Sequence, residues 1–197
     1  MTSRTMEHAS NPERAVLRQR VLAAREALDD AQYARALSAL EVHLWPLLLR
    51  LSPACLGFCW PHRAEPDLRP LVSRWLRHNP AHRAALPEVA GRGQALHFRE
   101  WTPETPMRSG VYGIEVPEGT SAVQPDVLLV PLNAFDARGY RLGYGGGYFD
   151  RTLAAHDYVA IGVGFELGRV DSVWPQAHDR PMQWIVTEAG AWPAERP

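Results

Sequence analysis

The sequence predicts a three-layer α/β fold: a mainly parallel, twisted sheet flanked by helices, Rossmann-like, in a single domain with N-terminal helices packed on it. Three observations point there. Apolar runs at 54–60, 127–130 and 159–163 read as strands buried on both faces, as strands of parallel sheets are. Stretches with apolar residues at helical spacing alternate with them, the pattern of a layered α/β domain. The chain has 197 residues and is 46% hydrophobic, which suits one sizeable core, and no internal repeat or linker divides it. The domain is expected over 13–190, between a polar tail at 1–12 and a loose tail at 191–197.

Asn11 and Pro12 form an N-cap and first-turn pair for a helix from Glu13, with Val16, Leu17, Val21, Ala24 and Leu28 on its apolar face. Arg14, Arg18 and Arg25 share another face. That face is either solvated or lays arginines onto a polyanion. Asp29-Asp30 opens a second helix with a stripe of Tyr33, Leu37, Leu40, Leu44 and Leu47 or Leu48, and Pro46 is placed to kink it. The strand at 54–60 leads into polar residues ending Glu65-Pro66-Asp67, then a helix turning Leu68, Leu71, Val72, Trp75 and Leu76 inward. Polar residues past a strand's carboxyl end are where open α/β sheets bind ligands, so Glu65 is a candidate; Asp67 reads as a helix cap.

Shorter strands are expected at 82–86 and 95–101, with loops at 87–93 and 102–110. Trp101 either stacks on a flat ligand or packs in the core. The segment 112–117 ends in a proline turn. The strand at 127–130 precedes the most informative stretch, 131–151, and a helix is expected over 148–156. A strand at 158–165, a short helix or turn at 169–174 and a last strand at 184–188 complete the chain.

Net charge is −1, which offers no surface for nucleic acid or membrane. All 21 basic residues are arginine. A lysine Schiff base, a lysine general base and a P-loop lysine are thereby excluded. Cys55 and Cys59 would lie about 13 Å apart along one strand face, too far for a disulfide. Two buried thiols, no apolar signal core and no long apolar run predict a cytoplasmic protein.

Within 131–151, four glycines occupy five positions: Gly143, Gly145, Gly146 and Gly147. Arg141, Asp150 and Arg151 flank them. Glycines admit close approach of backbone to ligand, helix N-termini attract anions, and arginines match phosphate oxygens. A carboxylate among those cations holds a metal or caps the helix. The spacing fits neither G-x-x-x-x-G-K-[ST] nor G-x-G-x-x-G.

These residues carry a resemblance. Pro131, Phe135-Asp136, Arg141 to Gly147 and Asp150-Arg151 match the pattern of 5-formyltetrahydrofolate cyclo-ligases, also called 5,10-methenyltetrahydrofolate synthetases. Arg14 and Arg18, Glu65-Pro66-Asp67, Leu96 to Trp101, His178-Asp179 and 185–188 fit in order, so the resemblance covers about 14–190. It implies that ATP and 5-formyltetrahydrofolate become 5,10-methenyltetrahydrofolate, ADP and phosphate with Mg²⁺. Phosphorylation of the formyl oxygen would precede ring closure by N10. By the family pattern Arg14, Arg18, Arg141, Leu142, Gly143, Tyr144, Gly145, Gly146, Gly147, Tyr148 and Arg151 would hold ATP, with Arg141 and Arg151 catalytic. Asp150 and Asp179 would hold Mg²⁺, and Glu65, Trp60, Trp101 and Phe149 would face the reduced folate. A monomer or homodimer acting on small molecules is implied. Phe149, Glu115, Arg69 and Gln183 depart from the family pattern. A folate- or nucleotide-binding regulator without catalysis, and an ATP-dependent ligase or kinase with another acceptor, are the alternatives.

Overall fold

The computed structural model describes residues 12–195; the Asn11 cap and the tail before it lie outside the described residues. Helix α1 spans Pro12–Glu26 and α2 Asp30–Leu51. Then come strand β1 (Cys55–Gly57), helix α3 (Arg69–His78), and strands β2 (Arg83–Val89), β3 (Leu96–Glu100) and β4 (Met107–Ser109). Strands β5 (Glu115–Pro117), β6 (Val127–Pro131), β7 (Ala134–Phe135) and β8 (Arg141–Leu142) follow. Helix α4 (Tyr148–Ala155), β9 (Val159–Val163), β10 (Trp184–Thr187) and β11 (Gly190–Pro193) complete the order.

The main sheet has seven strands in the order β11-β10-β9-β6-β1-β2-β3. The five inner strands run parallel, and the edge strands β3 and β11 are antiparallel to their neighbours. Along β6, Val127 and Leu129 pack on one face with α2 and α3, through Leu40, Leu44, Leu71 and Trp75. Leu128 and Val130 pack on the other, against the α4 residues Tyr148, Phe149 and Leu153. A period-two backbone with both faces covered is why this strand reads as an unbroken apolar run. The three-layer, mainly parallel fold is as the sequence predicted.

Local chemistry accounts for several ends. Asp29 caps α2 and exchanges hydrogen bonds with Gln32 in a capping box. Pro46 sits inside a single continuous helix. Asp67 accepts the Arg69 amide at 3.1 Å, so it serves the start of α3, although the cap residue itself is Leu68.

Four expectations need correcting. The buried stripe of α1 is Leu17, Val21, Leu22 and Arg25, while Val16 and Ala24 face outward. The tail is not loose from 191: Ala191 and Trp192 pair with Val186 and Ile185, so an antiparallel edge strand covers the end of the sheet. The 3-10 turn falls at Glu166–Gly168, ahead of the 169–174 stretch expected to hold it. A Cβ on Gly168 would lie 2.2 Å from the Asn133 carbonyl oxygen, which fixes that turn against the loop after β6. Finally, Cys59 lies beyond β1, so the two cysteines do not share one strand face; Cys55 is buried, and burial pushes its thiol up to about 11.

Candidate active site

Strand β1 continues to β2 on one side of the sheet, and β6 continues to β9 on the other. Neighbouring connections that diverge leave a crevice at the carboxyl ends of β1 and β6. A cavity of about 790 Å³ occupies it. Its walls come from α1, the loop after β1, the end of β6 at Pro131, residues of β2 and β3, the β4–β5 hairpin, the glycine loop with the start of α4, and the 176–179 segment.

Part of the wall is cationic. Arg14, Arg18 and Arg141 all line it. Arg18 Nε donates to the Gly143 carbonyl oxygen at 2.7 Å and so ties α1 to the glycine loop. Burial, then the neighbouring Arg14 charge, lowers the Arg18 pKa from its ordinary value. Arg141 is 6% exposed on β8 and donates to Asp150 Oδ1 at 3.1 Å and to the Arg180 carbonyl at 3.2 Å. Gly145 has φ +97° with the Arg18 guanidinium 3.7 Å from where a Cβ would stand. Gly147 caps α4 with φ +64°, a backbone that L side chains rarely adopt. A Cβ on Gly143 would meet nothing within 4 Å, so that loop residue borders open space rather than packed protein. The first amides of α4 have no intrahelical acceptor and carry the positive end of its dipole.

Aromatic and apolar side chains, Trp60, Phe149, Tyr148, Val111, Tyr112 and Ile114, line the same cavity, as does Glu65. The Arg69 guanidinium stacks 4.3 Å from the Trp60 ring centroid while it pairs with Asp67. Glu65 is 4% exposed; burial raises its pKa above the ordinary value, and Arg25, the Tyr144 hydroxyl and the His62 amide offset only part of that rise.

Asp150 and Asp179 both line the cavity, close to its arginines. Asp150 Oδ1 also accepts the Arg180 amide at 3.1 Å, and Oδ2 takes no hydrogen bond among the described residues. Asp179 Oδ2 accepts from Arg14 at 2.6 Å and from the Gln176 amide at 2.8 Å. Its Oδ1 lies 3.6 Å from His178 Nε2. Among the described residues no group of three or more His, Cys, Asp or Glu side chains is placed to hold an ion. The donor set offered is two carboxylates. That fits Mg²⁺, which keeps several waters and takes one or two carboxylates plus phosphate oxygens.

Three expected site residues do not line this cavity. Trp101 is 4% exposed and packs edge-on against Phe58 with ring centroids 5.0 Å apart, so it belongs to the core and does not face a ligand. Leu142 is fully buried against Leu17, Val21 and Val173 and shapes the loop only through its backbone. Arg151 is absent from the cavity lining; it donates to the Gly146 carbonyl at 2.7 Å and the Gln94 carbonyl at 3.1 Å. It braces the glycine loop from behind. Replacing Trp101 with alanine should therefore lower stability by about 3–5 kcal/mol, as large core truncations do. A thermal melt checks this: an unchanged melting temperature in Trp101→Ala would contradict the core placement.

Other contacts were not legible as site features. Arg25 stood out only as a third arginine on the α1 face, yet it is 2% exposed and bonded behind the cavity wall. His62, Arg63 and Gln176 line the cavity without any motif to mark them. Gln183 bridges β9 and β10, accepting from the Ala160 amide and donating to the Tyr158 carbonyl, so that departure is a sheet contact.

Fold and cavity together define an open α/β-sheet protein with an arginine-, glycine- and aromatic-lined cavity at the switch point. The particular family follows from comparison. The sequence model of the 5-formyltetrahydrofolate cyclo-ligase family matches residues 10–188, and the chain belongs to that family. A 5-formyltetrahydrofolate cyclo-ligase of Haemophilus influenzae is 35% identical over 95 residues, 44% of this chain and 51% of that one. One from Mycolicibacterium smegmatis is 31% identical over 107 residues, 51% of this chain and 55% of that one. The match thus spans about half the length of these relatives. The solved 5,10-methenyltetrahydrofolate synthetase of Aquifex aeolicus superposes with a TM-score of 0.81 at 27% identity, over 93% of this chain and 94% of that one. Among the described residues no helix is long and apolar enough to cross a membrane.

Proposed function

We propose that the chain converts 5-formyltetrahydrofolate and ATP to 5,10-methenyltetrahydrofolate, ADP and phosphate, with Mg²⁺. The observation that carries this is one cavity of about 790 Å³ whose wall combines arginines and a glycine loop with aromatic side chains and Glu65. A triphosphate and a flat reduced folate meet there without crossing solvent.

In this reading Arg14, Arg18 and the glycine loop position the triphosphate, and Arg141 faces the transferring phosphoryl group. Trp60, Phe149 and Glu65 hold the folate with its formyl oxygen toward the γ-phosphorus. The formyl oxygen attacks that phosphorus and ADP leaves. N10 then attacks the formyl carbon, loses its proton, and the carbon–oxygen bond breaks to release phosphate. Mg²⁺, held through Asp150 and Asp179, would neutralise charge on the phosphate oxygens. Little covalent work falls to the protein; positioning and fixed charge dominate such transfers. Arg151 acts by bracing Gly146, and Leu142 by anchoring β8.

The bond sequence has an isotopic signature. Substrate labelled with oxygen-18 in the formyl group should deliver the label to the released phosphate. Unlabelled phosphate, formed together with the methenyl product, would reject formyl-oxygen phosphorylation.

A further inference from the structure

Arg25 is enclosed behind the cavity wall, and no carboxylate oxygen is among its hydrogen-bond partners. Its Nε donates to the Arg63 carbonyl at 2.9 Å and Nη1 to Asn133 Oδ1 at 2.8 Å. Its Nη2 donates to the Tyr144 hydroxyl oxygen at 2.8 Å. A guanidinium has no acceptor, so the Tyr144 oxygen must receive. Its one proton then points to Glu65 Oε1, 2.8 Å away, rather than to the His62 carbonyl at 3.4 Å. Glu65 Oε2 accepts the His62 amide at 3.1 Å. Both carboxylate oxygens therefore accept from the protein. A second observation fits. The Asn133 amide oxygen is committed to Arg25, and its Nδ2 is buried without a partner among the described residues. The fold tolerates that orphan donor while keeping Arg25 aimed at Tyr144.

We propose that Arg25 is a positioning residue: through the Tyr144 hydroxyl it holds Glu65 as an ionised, fixed acceptor at the cavity wall, for a ligand presenting N–H donors. That this ligand is a reduced folate rests on the cyclo-ligase reading; the relay itself does not.

Other groups surround Glu65. Tyr33 donates its hydroxyl to the Glu65 carbonyl at 2.7 Å, and the Asp67–Arg69 pair lies beside it. The Cys59 thiol is pushed well up by burial and then by the Glu65 charge. The His62 ring lies 5.5 Å from that of Tyr144, and burial, then Arg63 and Arg25, lowers its pKa. Tyr144 is raised, first by burial and then by Glu65, so it keeps the proton it donates. Arg25 and the Tyr144 hydroxyl both hold the Glu65 pKa down against burial. Removing either makes the carboxyl protonate at higher pH.

The test is a pH titration by carbon-13 NMR of protein labelled at glutamate carboxyls, with Glu65→Gln assigning the signal. Wild-type Glu65 should be ionised at neutral pH. Tyr144→Phe should raise its midpoint by about one unit, the worth of a lost charge-assisted bond. Arg25→Met should raise it further. Tyr144 is 43% exposed, so the phenylalanine variant remains folded even where Arg25→Met does not. An unmoved Glu65 midpoint in Tyr144→Phe, or a Glu65 protonated at neutral pH in the wild type, would overturn the proposal. Titration with 5-formyltetrahydrofolate reads the consequence: roughly tenfold weaker binding where the variant's Glu65 is protonated, regained at higher pH. Wild-type protein that shows the Glu65 shift but binds no folate would uphold the relay and sink the cyclo-ligase reading.

Discussion

Arg141→Ala is expected to cut turnover by about a thousandfold, the range found for arginines that stabilise charge on a transferring phosphoryl group. Three features make this the largest single effect. Arg141 is 6% exposed, so its charge acts in a poorly screened place. The Arg180 carbonyl and Asp150 fix its Nη1, so little reorganisation is needed at the moment of transfer. No lysine is available as a substitute anywhere in the chain. Alanine also leaves Asp150 without its arginine partner, which should lower stability by about 1–3 kcal/mol. Turnover and a thermal melt on the same preparation separate the two effects. Folded protein with turnover near the wild-type value would reject the role.

Asp150→Ala should cost roughly a hundredfold or more in turnover, since metal-borne charge stabilisation is worth several kcal/mol. Its Oδ1 gathers Arg141 from β8 and the Arg180 amide from the segment that carries Asp179. Loss of this carboxylate therefore removes one expected metal ligand and loosens the approach of the other. The Mg²⁺ concentration needed for half-maximal turnover should rise along with the loss of rate. Because the two residues touch, the Arg141→Ala/Asp150→Ala double variant should lose little more than the worse single one. Losses that multiply, with an unchanged Mg²⁺ requirement, would mean the pair does not act as a unit.

The parts of this molecule legible in its sequence are those fixed by short-range pattern. The apolar run of β6 had to be a doubly covered strand. The Asp29–Gln32 box had to start a helix. The glycine loop between β8 and α4 had to leave its backbone open to a neighbour, and it lines the cavity. What escaped was decided by partners distant in the chain. Arg25 looked like a surface residue of α1, but its acceptors come from 38 to 119 residues away. Trp101 offered a flat face suited to a ligand, and Phe58, the residue after β1, claimed it for the core. Arg151 matched a phosphate-gripping position, yet the carbonyls of Gly146 and Gln94 take its guanidinium. The strand at Gly190–Pro193 is too short to declare itself without β10 beside it. Phe149, in place of the family's phenol, still lines the cavity and lies under the Arg141 guanidinium, 5.7 Å from its ring centroid.

The central claim is that one cavity couples ATP cleavage to closure of the folate ring. It is tested most directly by mixing the protein with 5-formyltetrahydrofolate, ATP and Mg²⁺ and following methenyl absorbance and ADP together. The account predicts that both rise in equal amounts and that neither rises when ATP, Mg²⁺ or the folate is left out. Folded protein that releases ADP without methenyl product, or binds both ligands and forms neither, would contradict it.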